Sequence, residues 1–152
     1  MNTFDHFAYG SNLSTARLRA RCPSAIPIAV GYIRGRALRF HKRGRDGTAK
    51  ADAYFTGNPT DLLWGVVYRC DLAEKETLDR CESLGCGYDL VEVRVQANQK
   101  VLHTRLYEAM PQAIDTSLVP APWYFDHVMT GAREHGLPSS YLRMLAGFAA
   151  VG

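Results

Sequence analysis

Glu82, in the run Leu78-Asp79-Arg80-Cys81-Glu82-Ser83-Leu84-Gly85-Cys86-Gly87-Tyr88, is the carboxylate best placed along this chain to move a proton. It stands at the end of a helical pattern, just before Gly85 and Gly87 turn the chain into a strand, and that location can push a carboxylate into a pocket. Position alone is weak evidence, because most glutamates in such segments are solvated surface charges. A second candidate is made of backbone. In Phe7-Ala8-Tyr9-Gly10-Ser11-Asn12-Leu13 a short apolar run breaks at Gly10 into small polar residues, and a basic, helix-like segment follows. Gly10 tolerates backbone angles closed to other residues, while Ser11 and Asn12 favour turns and helix caps, so successive main-chain N–H groups can converge on one anionic atom. Such a cradle suits a carboxylate or an oxyanion, although Gly-Ser-Asn is also ordinary turn chemistry.

Other chemistries find less support. Cys22, Cys70, Cys81 and Cys86 are irregularly spaced, with no Cys-x-x-Cys pair, so reduced thiols are expected. Thiol catalysis through Cys81 or Cys86 would lack a sequence-adjacent base. The five histidines, at positions 6, 41, 103, 127 and 135, show no metal-ligand spacing, and neither a metal nor another cofactor is expected. Arg34 to Lys50 gathers seven Lys or Arg residues around glycine breaks. Only Phe40 within it can stack on a base, so the run reads as a solvated hairpin able to attract a doubly anionic small substrate, and nucleic acid is not expected as a partner.

These groups need elements to hold them. A strand should precede the cradle, and a short helix over Ser14–Cys22 should follow it, stopped by Pro23. Ile26 to Phe40 is strand-rich. Ala51–Thr56, Leu62–Cys70, Tyr88–Val95 and Val101–Glu108 read as strands, with Val91, Val93 and Val95 alternating against Glu92 and Arg94. Asp71 is placed to cap a helix ending near Gly85, with Leu72 and Leu78 facing inward. Pro111–Pro122 reads as a connection, and Trp123–Glu134 and Ser139–Ala149 as closing helices. Trp64-Gly65-Val66-Val67-Tyr68 is assigned to packing. Elements that neither alternate strictly nor segregate give an α+β fold.

The whole of 1–152 fits one domain. It is long enough to bury about two-thirds of the surface of its unfolded form. With 47% hydrophobic and 22% charged residues, a net charge of +3 and no long uncharged apolar run, the expectation is a cytoplasmic protein without a membrane partner, a monomer or weak homodimer.

Tyr9-Gly10-Ser11-Asn12-Leu13 directly after an N-terminal apolar strand resembles the opening of the γ-glutamylcyclotransferase (AIG2-like) family, whose members cyclise a γ-glutamyl group to 5-oxoproline and release an amine. In that family a Leu-Asp-x-x-Glu segment, followed by a glycine-containing turn and an aromatic, supplies the catalytic glutamate, and Glu82 matches it. Tyr88-Asp89-Leu90-Val91-Glu92-Val93, Arg105-Leu106-Tyr107 and the segment from Tyr124 to Gly136-Leu137-Pro138 resemble later parts, so the likeness covers nearly the whole chain.

The resemblance implies a small mixed β-barrel with peripheral helices and a pocket at its mouth. It further implies Glu82 as general acid and base, and substrate contacts from Tyr9, Gly10, Ser11, Asn12, Tyr88, Tyr107 and Tyr124. One departure stands out. The family's glutamate is usually followed directly by glycine, whereas here Ser83 follows, so the turn, and substrate choice with it, is open to reshaping. Other readings are a cyclotransferase for γ-glutamyl amines or a γ-glutamyl-protected metabolite, and a non-catalytic barrel binding an anion or nucleic acid.

Overall fold

Short runs of β-branched and aromatic residues, each too narrow to bury its own apolar face, solve that problem by closing on one another. The computed structural model describes residues 2–151, with side chains for 2–148. Its strands are β1 (Thr3–Ala8), β2 (Ile26–Arg34), β3 (Arg36–Arg43), β4 (Ala49–Phe55), β5 (Leu62–Asp71), β6 (Tyr88–Ala97) and β7 (Lys100–Ala109). Helices α1 (Thr15–Arg19), α2 (Lys75–Cys81), α3 (Pro122–Glu134) and α4 (Ser139–Val151) surround them. Five strands close a mixed barrel in the order β1-β5-β2-β6-β7. Neighbours run antiparallel except at the seam, where β1 lies parallel to β7 with His6 opposite Arg105. This is the α+β barrel with peripheral helices that the resemblance implied.

The β6 alternation resolves as read, with Val93 and Val95 buried and Glu92 and Arg94 exposed. The strand-rich Ile26–Phe40 run resolves into two strands. Gly35, at φ +83°, turns the chain out of the barrel, and β3 pairs only with β4 in a separate two-stranded sheet. Trp64-Gly65 does build the core: a side chain at Gly65 would collide with the Ala8 carbonyl and the Phe7 ring, so the strands approach closely only because that side chain is absent.

Helix limits needed correction. Ser14 caps α1, its hydroxyl accepting from the Arg17 N–H at 3.3 Å, but the helix stops at Arg19. Asp71 makes no cap through its side chain, because a 3-10 turn over Leu72–Glu74 intervenes before α2. That turn leaves Leu72 45% exposed while Leu78 is fully buried. α2 ends at Cys81, short of Gly85.

α3 turns Tyr124, Phe125, Val128, Met129 and Ala132 inward. Its Gly131 lies directly on the Leu13–Ser14 backbone, where no Cβ fits. This contact seats the 3-10 turn Ser11–Leu13, which follows β1. Gly131→Ala is therefore expected to lower stability by ~1–3 kcal/mol, the usual range for overpacking, in urea unfolding. A loss below about 0.5 kcal/mol, the scatter of neutral surface changes, would contradict this packing.

Candidate active site

The 3-10 turn after β1 is closed by bonds from the Leu13 N–H to the Gly10 carbonyl (3.0 Å) and from the Ser14 N–H to the Ser11 carbonyl (3.2 Å). The N–H groups that open such a turn have no partner inside it. Gly10, Ser11 and Asn12 all line one cavity of about 270 Å³ at the barrel mouth. Gly10, at φ −112° and ψ −133°, lies outside the α and β regions, as its sequence context suggested, and it also supplies space, since a Cβ there would stand 2.8 Å from that of Ala51.

Glu82 is the C-cap of α2 and faces the same cavity, its side chain 15% exposed. Its Oε1 accepts from Asn12 Nδ2 at 3.0 Å and from Arg21 Nη1 at 3.2 Å. Arg21 also donates to Asn12 Oδ1 at 3.4 Å, closing a triangle. Burial pushes the Glu82 carboxyl above its ordinary value of 4.5, against the opposing pull of the Arg21 charge, the Asn12 amide, and the Lys42 and Arg17 charges.

The four tyrosines meet at this cavity, each tied to the scaffold. Tyr9 donates to the Tyr107 carbonyl. Tyr88 donates to the Ala51 carbonyl at 2.5 Å, and Tyr107 to Asp79 Oδ1 at 2.6 Å. Tyr124 is the exception in sense, its oxygen accepting the Ala51 N–H at 2.9 Å, which leaves its own proton to offer. Burial raises the pKa of all four phenols, so they stay protonated at neutral pH. The structure thus gathers all eight sequence-selected residues.

It also adds some that sequence reasoning missed. Arg17, Arg21, Lys42, Arg45 and Lys50 line the cavity, with Glu82 and Asp46 as its acids. Their surplus of positive charge suits an anionic ligand. Asp79, one turn before Glu82, holds Tyr107 and pairs with Lys75 at 2.7 Å. His6 reaches the cavity with neither ring nitrogen bonded among the described residues, and burial pushes it down to about 4, so it is neutral. The helical spacing of Arg17 and Arg21 was the available signal for the first pair. Lys42, Arg45 and Lys50 lay in the run read as a solvated hairpin able to attract a doubly anionic small substrate.

Known proteins resemble this chain in sequence and in fold. Residues 62–145 match the model of the AIG2-like family. The γ-glutamylcyclotransferase of Bos taurus is 32% identical over 151 residues, covering 94% of this chain and 77% of the relative; that of Homo sapiens is 32% identical over 148 residues with the same coverage. The chain belongs to the γ-glutamylcyclotransferase family. A solved γ-glutamyl cyclotransferase structure superimposes with a TM-score of 0.86 at 30% identity, over 95% of this chain and 87% of that one.

Ser83, the residue after Glu82, adopts a left-handed conformation that glycine would favour, at φ 51°. Its carbonyl accepts from both Cys86 and Gly87 N–H groups, at 2.9 and 2.8 Å, which stabilises the strained turn. The turn thus has the backbone shape that a glycine would favour, with a hydroxymethyl group beside the glutamate.

Because the folded state raises the Glu82 pKa, this group's contribution to stability is complete below the unfolded range and is lost as pH climbs through the folded value. Arg21 is the strongest charge opposing that rise. Arg21→Gln is expected to move Glu82 titration higher still, followed by carboxyl-carbon NMR across pH. An unchanged or lower midpoint would contradict the pairing.

Proposed function

We propose that this chain cyclises γ-glutamyl amino acids or peptides to 5-oxoproline and a free amine, with Glu82 as general base and then general acid. The observation that carries this reading is the largely buried Glu82 carboxyl, sharing one cationic cavity with the Gly10–Asn12 turn and bonded to the Asn12 amide. Family membership supplies the reaction class.

A γ-glutamyl amide contains its own nucleophile. Its α-amine can close a five-membered ring on the γ-carbonyl carbon, so the protein has only to fold the substrate and move protons. Holding a near-attack geometry supplies on the order of 7 kcal/mol or more in well-oriented intramolecular reactions. Fixed tyrosine walls, each hydroxyl already engaged with backbone or Asp79, suit that task.

The α-amine, with a reference pKa near 8, enters mostly protonated. Glu82 removes one proton, and a carboxylate raised by burial is better matched to that transfer than an ordinary one. The amine lone pair then forms the new C–N bond as the γ-carbonyl oxygen gains negative charge. N–H groups of Ser11 and Asn12, and the free proton of Tyr124, are the donors available to that oxyanion or to the α-carboxylate. One such donor is worth ~3 kcal/mol. Collapse of the intermediate breaks the original C–N bond as protonated Glu82 gives its proton to the departing nitrogen; the regenerated carboxylate takes the second proton from the ring nitrogen, leaving the lactam N–H, and that proton departs with the free amine as its ammonium.

The assay is 5-oxoproline release from a panel of γ-glutamyl dipeptides, glutathione and γ-glutamyl-ε-lysine. Wild type is expected to turn over at least one of them. Glu82→Gln should lose about 100-fold to 10,000-fold, the usual worth of a positioned acid–base group. A folded Glu82→Gln with an undiminished rate would overturn the assignment.

A further inference from the structure

A second concavity, of about 720 Å³, borders the turn from Ser83 to Gly87. Glu82, Ser11, Asn12 and Tyr124 take no part in its lining, so it is a different place from the catalytic cavity. Lys42, Arg43, Arg45 and Arg80 bring four positive charges to it, against two acids, Glu76 and Asp79. Asp79 is already engaged by Tyr107 and Lys75.

Three of its groups converge. Lys42, on β3, is 8% exposed. A Cβ on Gly87 would stand 2.8 Å from Lys42 Nζ and 3.5 Å from Ser83 Cβ, so the ammonium and the Ser83 side chain share one small space. Arg45 enters it from the hairpin loop, donating from Nη2 to Ser83 Oγ at 3.2 Å. The Tyr88 ring lies 4.8 Å from the ammonium, but among the described residues no carboxylate pairs with it: Glu82 is taken by Arg21, Asp46 by Lys50 and Asp79 by Lys75. A buried cation with no counter-ion is unfavourable on its own. Burial lowers the Lys42 pKa, the Glu82 charge opposes that fall, and Lys50, Arg45 and Arg43 add to it.

We propose that this groove is a second binding site, which takes the phosphate dianion of a small phosphorylated molecule, or phosphate itself, between Lys42, Arg45 and the Ser83 hydroxyl, with Arg80 at its rim. Two cations and a hydroxyl around one point match a group with two charges and several acceptor oxygens: a guanidinium fork takes two of them, and an ammonium serves as a point charge for a third. A polyanionic strand fits less well, because no aromatic residue lines the groove for a base to stack on. The site does not depend on the cyclisation reading. It is nonetheless coupled to the catalytic carboxyl. Burial raises Glu82, and Arg21, the Asn12 amide, Lys42 and Arg17 act against that rise. A dianion on Lys42 offsets part of that opposition, so occupancy moves Glu82 titration upward, and protonation of Glu82 strengthens anion binding in return.

The test titrates inorganic phosphate, then glycerol 2-phosphate, into the protein at constant ionic strength, followed by backbone amide NMR. Saturable shifts at Ser83, Cys86 and Gly87 are expected, larger than those at Ser11 and Asn12, with acetate giving none. Glycerol 2-phosphate binding as well as phosphate marks an ester as the ligand, and weaker binding marks free phosphate. Lys42→Met should weaken phosphate by about 10-fold to 100-fold, the worth of a charge-assisted hydrogen bond. Arg45→Gln and Arg80→Gln, at exposed positions, should each weaken it by about 2-fold to 5-fold. An equal response to acetate would mark a diffuse ionic effect, and the largest shifts at Ser11 and Asn12 would place the anion in the catalytic cavity; either overturns the proposal. Undiminished phosphate affinity in the Arg45→Gln, Arg80→Gln double variant also overturns it, even if Lys42→Met does not fold. None of these outcomes bears on cyclisation, which is read from 5-oxoproline.

Discussion

The Oε1 atom of Glu82, shared between Asn12 and Arg21, is the joint on which the site depends. It fastens the end of α2 to two segments 70 and 61 residues earlier in the chain, the turn after β1 and the exit of α1. A carboxylate taken out of water without partners would be strongly unfavourable, so the site can bury Glu82 only as far as these two donors permit. The balance leaves a group that is raised by burial yet still restrained by positive neighbours, which is the condition for a carboxyl that can take a proton and give it back.

Everything around that joint serves to keep it in place. The Ala51 peptide bridges Tyr124 on one side and Tyr88 on the other. Behind it, Asp52 accepts the Ala109 N–H at 2.8 Å and pairs with His41 at 2.6 Å, locking the hairpin of β3 and β4 to β7. The same hairpin carries Lys42, Arg45 and Lys50 to the cavity mouth. Structural burial and substrate electrostatics are thus set by one element, and donors fixed this way need no reorganisation as charge develops.

Much of this was legible in the sequence, because local rules and tertiary outcome agree where periodicity is strong. The alternation in β6, the short helix after the cradle and the two closing helices follow from side-chain pattern alone. Closure of the barrel did not, since nothing in strand pattern records a parallel seam joined at His6 and Arg105; that expectation came from the resemblance. The departure of β3 from the barrel hung on the φ of a single glycine, Gly35. Glu82 and the cradle were found through motif order. Arg21, Lys42 and Asp79 were not, because their importance lies in contacts to residues distant along the chain, and a lysine that buries its ammonium looks in sequence like any solvated charge. Gly10 was chosen for its backbone freedom, and the room it leaves for Ala51 was not legible, because that neighbour is distant along the chain.

The central claim is that the substrate's own amine attacks, with water taking no part. Turnover of γ-glutamyl-alanine in water labelled with heavy oxygen, read by mass spectrometry, tests it most directly. The account predicts 5-oxoproline carrying no solvent oxygen and one alanine released per 5-oxoproline formed. Glutamate as the product, with heavy oxygen in its γ-carboxylate, would show that water attacks and would contradict it.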